Sequence, residues 1–205
     1  MASAAEFAVL SSPTWETFAP HGKEVDAIYG DYVLRNDKIV AVIAQPLATR
    51  NANMTVRNVG GCIIDLTERN AQNDQLSAYY PAGARYPMTA PTAVRLTIDG
   101  QPAGSLPAQP TSGGTIALEV DADRGENKPQ LTVRYVLAEG SPYLVVETIF
   151  RNSADQAVSD ELSDAIRADR TFTFQFDPQM HCFFADDEWF RQAYGIVADG
   201  SLLSG

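Results

Sequence analysis

The sequence predicts an all-β chain, a two-layer antiparallel β-sandwich of the supersandwich kind with long loops and little helix, and three observations carry that prediction. Apolar residues recur at period two in several short runs, turn-forming clusters separate the runs, and 12 Pro and 14 Gly are scattered through 205 residues. Such spacing punctuates a chain too often for long helices and suits strands joined by turns. The chain is read as one β-sandwich domain over residues 1–205, an amino-terminal module or fragment of a longer protein, long enough to bury a core without disulfides or metals.

The clearest element is the hairpin from Gln130 to Asn152. Leu131, Val133, Tyr135 and Leu137 alternate with Thr132, Arg134 and Val136, and Ala138-Glu139-Gly140-Ser141-Pro142 supplies the turn. The return run, Tyr143 to Phe150, is apolar on both faces, so it is expected inside a sheet covered on both sides. A second hairpin runs from Gly30 to Ala44, with the reversal at Asn36-Asp37-Lys38, where Asn and Asp tolerate tight-turn geometry and serve as punctuation.

Taken in order, Phe7, Val9 and Leu10 suit an edge strand or a packed-down arm, with Trp15 and Phe18 beyond a Ser-Ser-Pro turn. Gln45 to Val59 is polar and Asn-rich, a loop with one short strand around Met54 to Val56. Gly60-Gly61 bends the chain into a buried strand at Cys62 to Leu66. No Gly-rich phosphate-loop pattern occurs. Thr67 to Ala90 reads as a long polar loop, Ala93 to Asp99 as a strand, Gln101 to Gly114 as an extended Pro-rich connection and Thr115 to Val120 as another strand. Helical and extended readings compete for Asp160 to Asp169. Thr171 to Phe176 alternates three Phe on one face and is a strand, Cys182 to Ala185 continues the core, and Trp189 to Val197 closes on aromatics.

A formal net charge of −11 argues against a nucleic-acid partner, because phosphate binding needs clustered Lys and Arg. Cys62 and Cys182 belong to no Cys/His cluster, so no zinc site, other metal or cofactor is indicated. Two Cys in such a chain are more often buried apolar residues than a bridge, and their pairing is left open. No run is long enough to span a bilayer, and no signal peptide is visible.

Gly30-Asp31-Tyr32-Val33-Leu34 with Asn36-Asp37-Lys38-Ile39, Gly60-Gly61-Cys62-Ile63-Ile64-Asp65, and Tyr135-x-Leu137-x-x-Gly140 with Tyr143-Leu144-x-Val146-Glu147-Thr148 and Asn152 together resemble the amino-terminal β region of large exported bacterial proteins. In those proteins the region often precedes a PHP-type metallohydrolase module, itself absent here. The later half also looks like the supersandwich of galactose mutarotase and of sugar-binding domains in glycoside hydrolases. The resemblance spans residues 28 to 197. It implies an extracytoplasmic accessory domain and carries over no catalytic residue. Mutarotase-like enzymes use His and Glu as acid and base, whereas this chain has only His21 and His181, without paired histidines on successive core strands.

Three groups of residues are candidates for chemistry. Asp177, His181 and Glu188, with Asp186 and Asp187, combine a His with carboxylates that can fix its tautomer for acid/base work; the alternative is an acidic, solvated hairpin tip. A calcium loop at Asp186-Asp187-Glu188 is weaker, because the alternating ligand spacing is missing. Tyr79, Tyr80, Arg85 and Tyr86 in the long loop suit stacking and hydrogen bonding to a sugar, or else pack the loop on itself. Arg167 and Arg170, among Asp160, Glu161, Asp164 and Asp169, hold a carboxylate or sugar hydroxyl, or simply lace the surface with salt bridges. The favoured function is a non-catalytic module that recognises a carbohydrate or packs on an adjacent protein module. The alternatives are a sugar-active enzyme of the mutarotase or lyase type and a purely structural assembly module.

Overall fold

Short apolar runs become strands here wherever a partner satisfies their backbone groups. In chain order these are β1 (Ala5–Val9), β2 (Tyr32–Arg35), β3 (Ile39–Ile43), β4 (Ile63–Glu68), β5 (Leu76–Tyr80), β6 (Val94–Ile98), β7 (Gln101–Pro102), β8 (Thr111–Gly113), β9 (Thr115–Asp121), β10 (Gln130–Ala138), β11 (Val145–Arg151), β12 (Ala165–Ala168), β13 (Thr173–Asp177), β14 (Cys182–Asp187) and β15 (Gln192–Val197). One turn of α-helix, α1 (Trp15–Phe18), lies between β1 and β2. The computed structural model describes residues 4–71, 73–153, 155–168 and 170–198. The chain divides into two compact units, Met1–Arg167 and Ala168–Gly205.

The first unit is an antiparallel β-sandwich. Its sheets run β12-β5-β4-β3-β2-β1-β8 and β11-β10-β9-β6-β7. The Pro-rich connection from Gln101 to Gly114 carries the chain between them, because β7 extends the second sheet and β8 the first. Pleating sorts the side chains of the first sheet into two rows. Val33, Val40, Val42 and Ala44 pack with Leu10, Phe18, Ala27, Val56 and Val59, which come from the segments before β2 and after β3. The alternate residues, Phe7, Tyr32, Leu34, Ala41 and Ile43, form the other row and are at most 2% exposed. They face the inner row of the second sheet, where Ile116, Leu118, Val120, Leu131, Val133, Tyr135 and Leu137 are all fully buried.

Polar ties join the layers. The Tyr135 hydroxyl donates to the Gly61 carbonyl at 2.5 Å. Asn36 does more than punctuate its turn: Oδ1 accepts the amides of Lys38 and Ile39 at 2.8 and 3.0 Å, while Nδ2 donates to the carbonyls of Ala138 and Ser141 at 2.8 and 2.9 Å. The outer face of the second sheet is wet. Arg95, Glu119, Arg134 and Glu147 stand opposite one another on four adjacent strands and pair at 3.2, 3.5 and 2.6 Å along the row.

Several expectations are corrected. The run Tyr143 to Phe150 is not inside a doubly covered sheet: β11 is the rim of the second sheet, with Tyr143 and Val145 exposed by 64% and 41%. It is apolar on both faces because Val146 and Phe150 point inward while Val145 and Ile149 lie on the outer side. β-branched composition reports a pleated fit and not two-sided cover. The doubly covered hairpin is β2–β3, in which every strand residue is buried. β1 is no edge strand, since it lies between β2 and β8. The long loop Thr67 to Ala90 contains β5, wholly buried, whose partner β12 comes some 80 residues later. No strand forms at Met54 to Val56, because Asn53 Oδ1 accepts the amides of Thr55 and Val56 at 3.0 Å each and turns the chain. Ala165 to Ala168 is extended, and Asp169 lies outside the described residues.

The second unit is an antiparallel meander, β13-β14-β15. Its two turns are built alike. Asp177 Oδ1 accepts the amides of Gln179 and Met180 at 2.8 and 3.0 Å, and Asp187 Oδ1 those of Trp189 and Phe190 at 2.8 and 3.1 Å. The residue four beyond each Asp, His181 and Arg191, has a left-handed φ of 48° and 54°.

Replacing Asn36 by Ala should lower unfolding stability by about 2–3 kcal/mol, since two amides and two carbonyls lose their partner. Asn36→Asp, which keeps the acceptor and removes the donor, should also destabilise. Denaturant titration checks both, and a loss under about 0.5 kcal/mol would show that the tie is dispensable.

Candidate functional site

The residues singled out around the Tyr-rich segment do come together, but on one another. Tyr79, on the last residues of β5, is 8% exposed and donates to Asp164 Oδ2 at 2.6 Å. Burial pushes its phenol up, and the Asp164 charge adds to the effect. Asp164 Oδ1 also accepts the Ala82 amide at 2.9 Å. The chain needs that hold, because Ala82, Gly83 and Ala84 are three successive left-handed residues with φ of 53°, 62° and 62°. Each alanine there costs on the order of 1 kcal/mol.

Tyr86, 4% exposed, donates to Asp160 Oδ2, and Lys128 Nζ lies 4.8 Å over its ring. Arg85 pairs with Glu161 at 3.2 Å and Asp160 at 3.6 Å. Tyr80 alternates to the opposite face of β5, where its hydroxyl donates to the Arg57 carbonyl at 3.0 Å. Burial raises that phenol to about 12. Arg167 donates to the Thr55 carbonyl at 3.4 Å, and Arg170 belongs to the second unit. The segment 160–164 is therefore strapped over 79–86 by Tyr79, Arg85 and Tyr86.

The candidate acid/base group is spread apart. Asp177 and His181 flank the β13–β14 turn, whereas Glu188 follows the far end of β14. A six-residue strand of about 3.3 Å per residue separates His181 from Glu188. Asp177 spends Oδ1 on its turn. Both cysteines are free thiols; Cys62 is buried, and burial raises it to about 12. Among the described residues, no group of three His, Cys, Asp or Glu could hold a metal ion, and no helix is long and apolar enough to cross a membrane.

An open site lies at the end of the β10–β11 hairpin. A hollow of about 350 Å³ is lined by Val136, Ala138, Pro142, Tyr143 and Val145, with the Glu139-Gly140-Ser141 turn as its rim. Of these residues only Glu139 carries a charge. The turn is held from several sides. The Glu139 amide donates to the Gly114 carbonyl at 2.8 Å, Ser141 Oγ donates to the Tyr143 carbonyl at 2.8 Å, and Asn36 holds the carbonyls of Ala138 and Ser141. Gly140 is left-handed (φ 63°). The wall is thus fixed, while the Tyr143 ring stays in solvent. A second hollow, of about 390 Å³ beside Gly30, Tyr32, Gln45, Pro91 and Leu106, offers no such ring, because Tyr32 is only 2% exposed.

The sequence placed Tyr143 inside a sheet and so did not offer it as a candidate. The usable signal was its position directly after Ser141-Pro142, where a turn leaves an aromatic uncovered. No family model, curated protein or solved structure matches this chain.

Asp164→Ala should cost about 1–2 kcal/mol, because the Tyr79 hydroxyl and the Ala82 amide both lose their acceptor. Amide exchange across residues 79–86 should accelerate while β9 and β10 stay protected. Uniform acceleration, or none, would show that the strap does not hold this turn.

Proposed function

We propose that this chain is a non-catalytic β-sandwich module that recognises a neutral saccharide at the end of the β10–β11 hairpin, as an accessory domain of the kind found at the start of large exported proteins. One observation carries the reading: the Tyr143 ring stands exposed over a rigid, shallow, mostly apolar hollow, while the other Tyr and Arg candidates are committed to internal partners. An aromatic face of this kind stacks on the C–H face of a sugar ring. Glu139 at the rim can accept from sugar hydroxyls, and its charge, with the net −11 of the chain, disfavours anionic glycans. The separation of His181 from Glu188 supports recognition without acid/base chemistry.

Packing against a neighbouring protein module is the second reading. The specific observation in its favour is the rim position of β11, seven residues without Pro, with Val145 and Ile149 on its outer side.

A glycan array probed with the whole chain should give binding to neutral glycans. Tyr143→Ala should weaken it roughly tenfold, and His181→Ala should leave it unchanged. Mutarotation and hydrolysis assays should be silent. Absence of glycan binding, or binding indifferent to Tyr143→Ala, would overturn the saccharide reading.

A further inference from the structure

Asp65 stands in β4 where the pairing with β3 shifts register between Val42 and Ile43. It is 0% exposed. Oδ1 accepts the Asp26 amide at 2.7 Å, and Oδ2 is buried with no hydrogen-bond partner. The groups that face it come from every neighbouring element. The segment before β2 brings Asp26, itself flanked by Glu24, which pairs with Lys23 at 3.5 Å. The start of β2 brings Asp31. The loop after β3 brings Arg50, and Asn53, whose Nδ2 reaches Asp26 at 3.5 Å. On the next residue of β4 the Leu66 amide donates to Asp74 Oδ1 at 2.7 Å, and Tyr80 is near enough to Asp26 to feel its charge.

Among the described residues facing Asp65, Arg50 is the cation, and it is spent. Nε and Nη2 donate to Asp31 at 3.3 and 2.7 Å, Nη2 also to the Asp26 carbonyl at 2.7 Å, and Nη1 to the Asn51 carbonyl. A carboxylate at Asp65 would sit out of water beside two like charges, without a cation in contact. Such a group neutralises instead.

We propose that Asp65 holds a proton in the folded chain at neutral pH, and that with Asp26 it forms a proton-dependent latch fastening the segment before β2 to the first sheet. Burial, then the Asp26 and Asp31 charges, pushes Asp65 well above the usual carboxylate range. Burial, then Glu24, raises Asp26 from 3.8 to about 6. For both groups the folded value exceeds the unfolded one. Their contribution is therefore complete below about pH 3.8 and is lost as pH rises through the folded values, about 6 for Asp26 and the raised one of Asp65. Asp26 is only half-buried, so solvent screening reduces its share to roughly tenfold in the folding constant.

The test is a carboxyl-carbon NMR titration of the whole chain, with thermal unfolding of the wild type and Asp65→Asn from pH 4 to 8. The Asp65 carboxyl is expected to be neutral at pH 7, with a midpoint near 6 for Asp26. Asp65→Asn should unfold no earlier than the wild type at pH 7.5 and lose less stability between pH 4 and 7.5. An Asp65 carboxyl already ionised at pH 5 would overturn the proposal, as would an Asn variant that keeps the wild-type pH slope. Should that variant fail to fold, the titration of the wild type decides alone.

Discussion

Buried loop amides must find acceptors, and in this chain side-chain oxygens of Asp and Asn supply many of them. The first sheet is covered on one face by the second sheet and on the other by irregular chain. Among the described residues that second cover has few strand partners for its backbone groups, which side chains satisfy instead. Asp31 accepts the amides of Ile28 and Gln45, Asp65 that of Asp26, Asp74 that of Leu66, and Asn53 those of Thr55 and Val56. The same device recurs elsewhere, at Asp164 on the left-handed turn and at Asp177 and Asp187 in the meander. Part of the acidity of the chain is thus structural: at these positions carboxylates take the place of β partners where the chain is not a strand.

The device meets two electrostatic settings in one neighbourhood, at Asp31 and at Asp65. Asp31 is buried with Arg50 at 2.7 Å and is compensated as an ion pair. Asp65, equally buried, shares the neighbourhood but not the cation. A paired buried charge is held in place by its partner, whereas an unpaired one resolves its desolvation by taking up a proton. Arg50 is paired with Asp31 and leaves Asp65 Oδ2 without a hydrogen-bond partner.

Internal pairing also commits most of the Tyr and Arg candidates to partners within the chain. Tyr79, Arg85 and Tyr86 are consumed by the strap 160–164, and Tyr80 and Arg167 donate to backbone carbonyls. Tyr143 at the β10–β11 turn is 64% exposed, and Asn36 braces that turn from the other sheet. The tie that joins the two layers also stiffens the hollow.

The sequence by itself determined that the chain is β-rich, which residues alternate, and where the β2–β3 and β10–β11 hairpins turn, because period-two patterning and turn chemistry are local properties. Only the tertiary structure decided sidedness and company. Nothing local in Tyr143 to Phe150 shows that no strand pairs beyond it, nothing in Leu76 to Tyr80 announces a partner some 80 residues away, and nothing at Asn36 reveals that its amide reaches Ala138 and Ser141. The candidate site was illegible for the same reason. Exposure and pairing depend on which distant segments cover a residue, and a pleat records only the direction in which its side chain points.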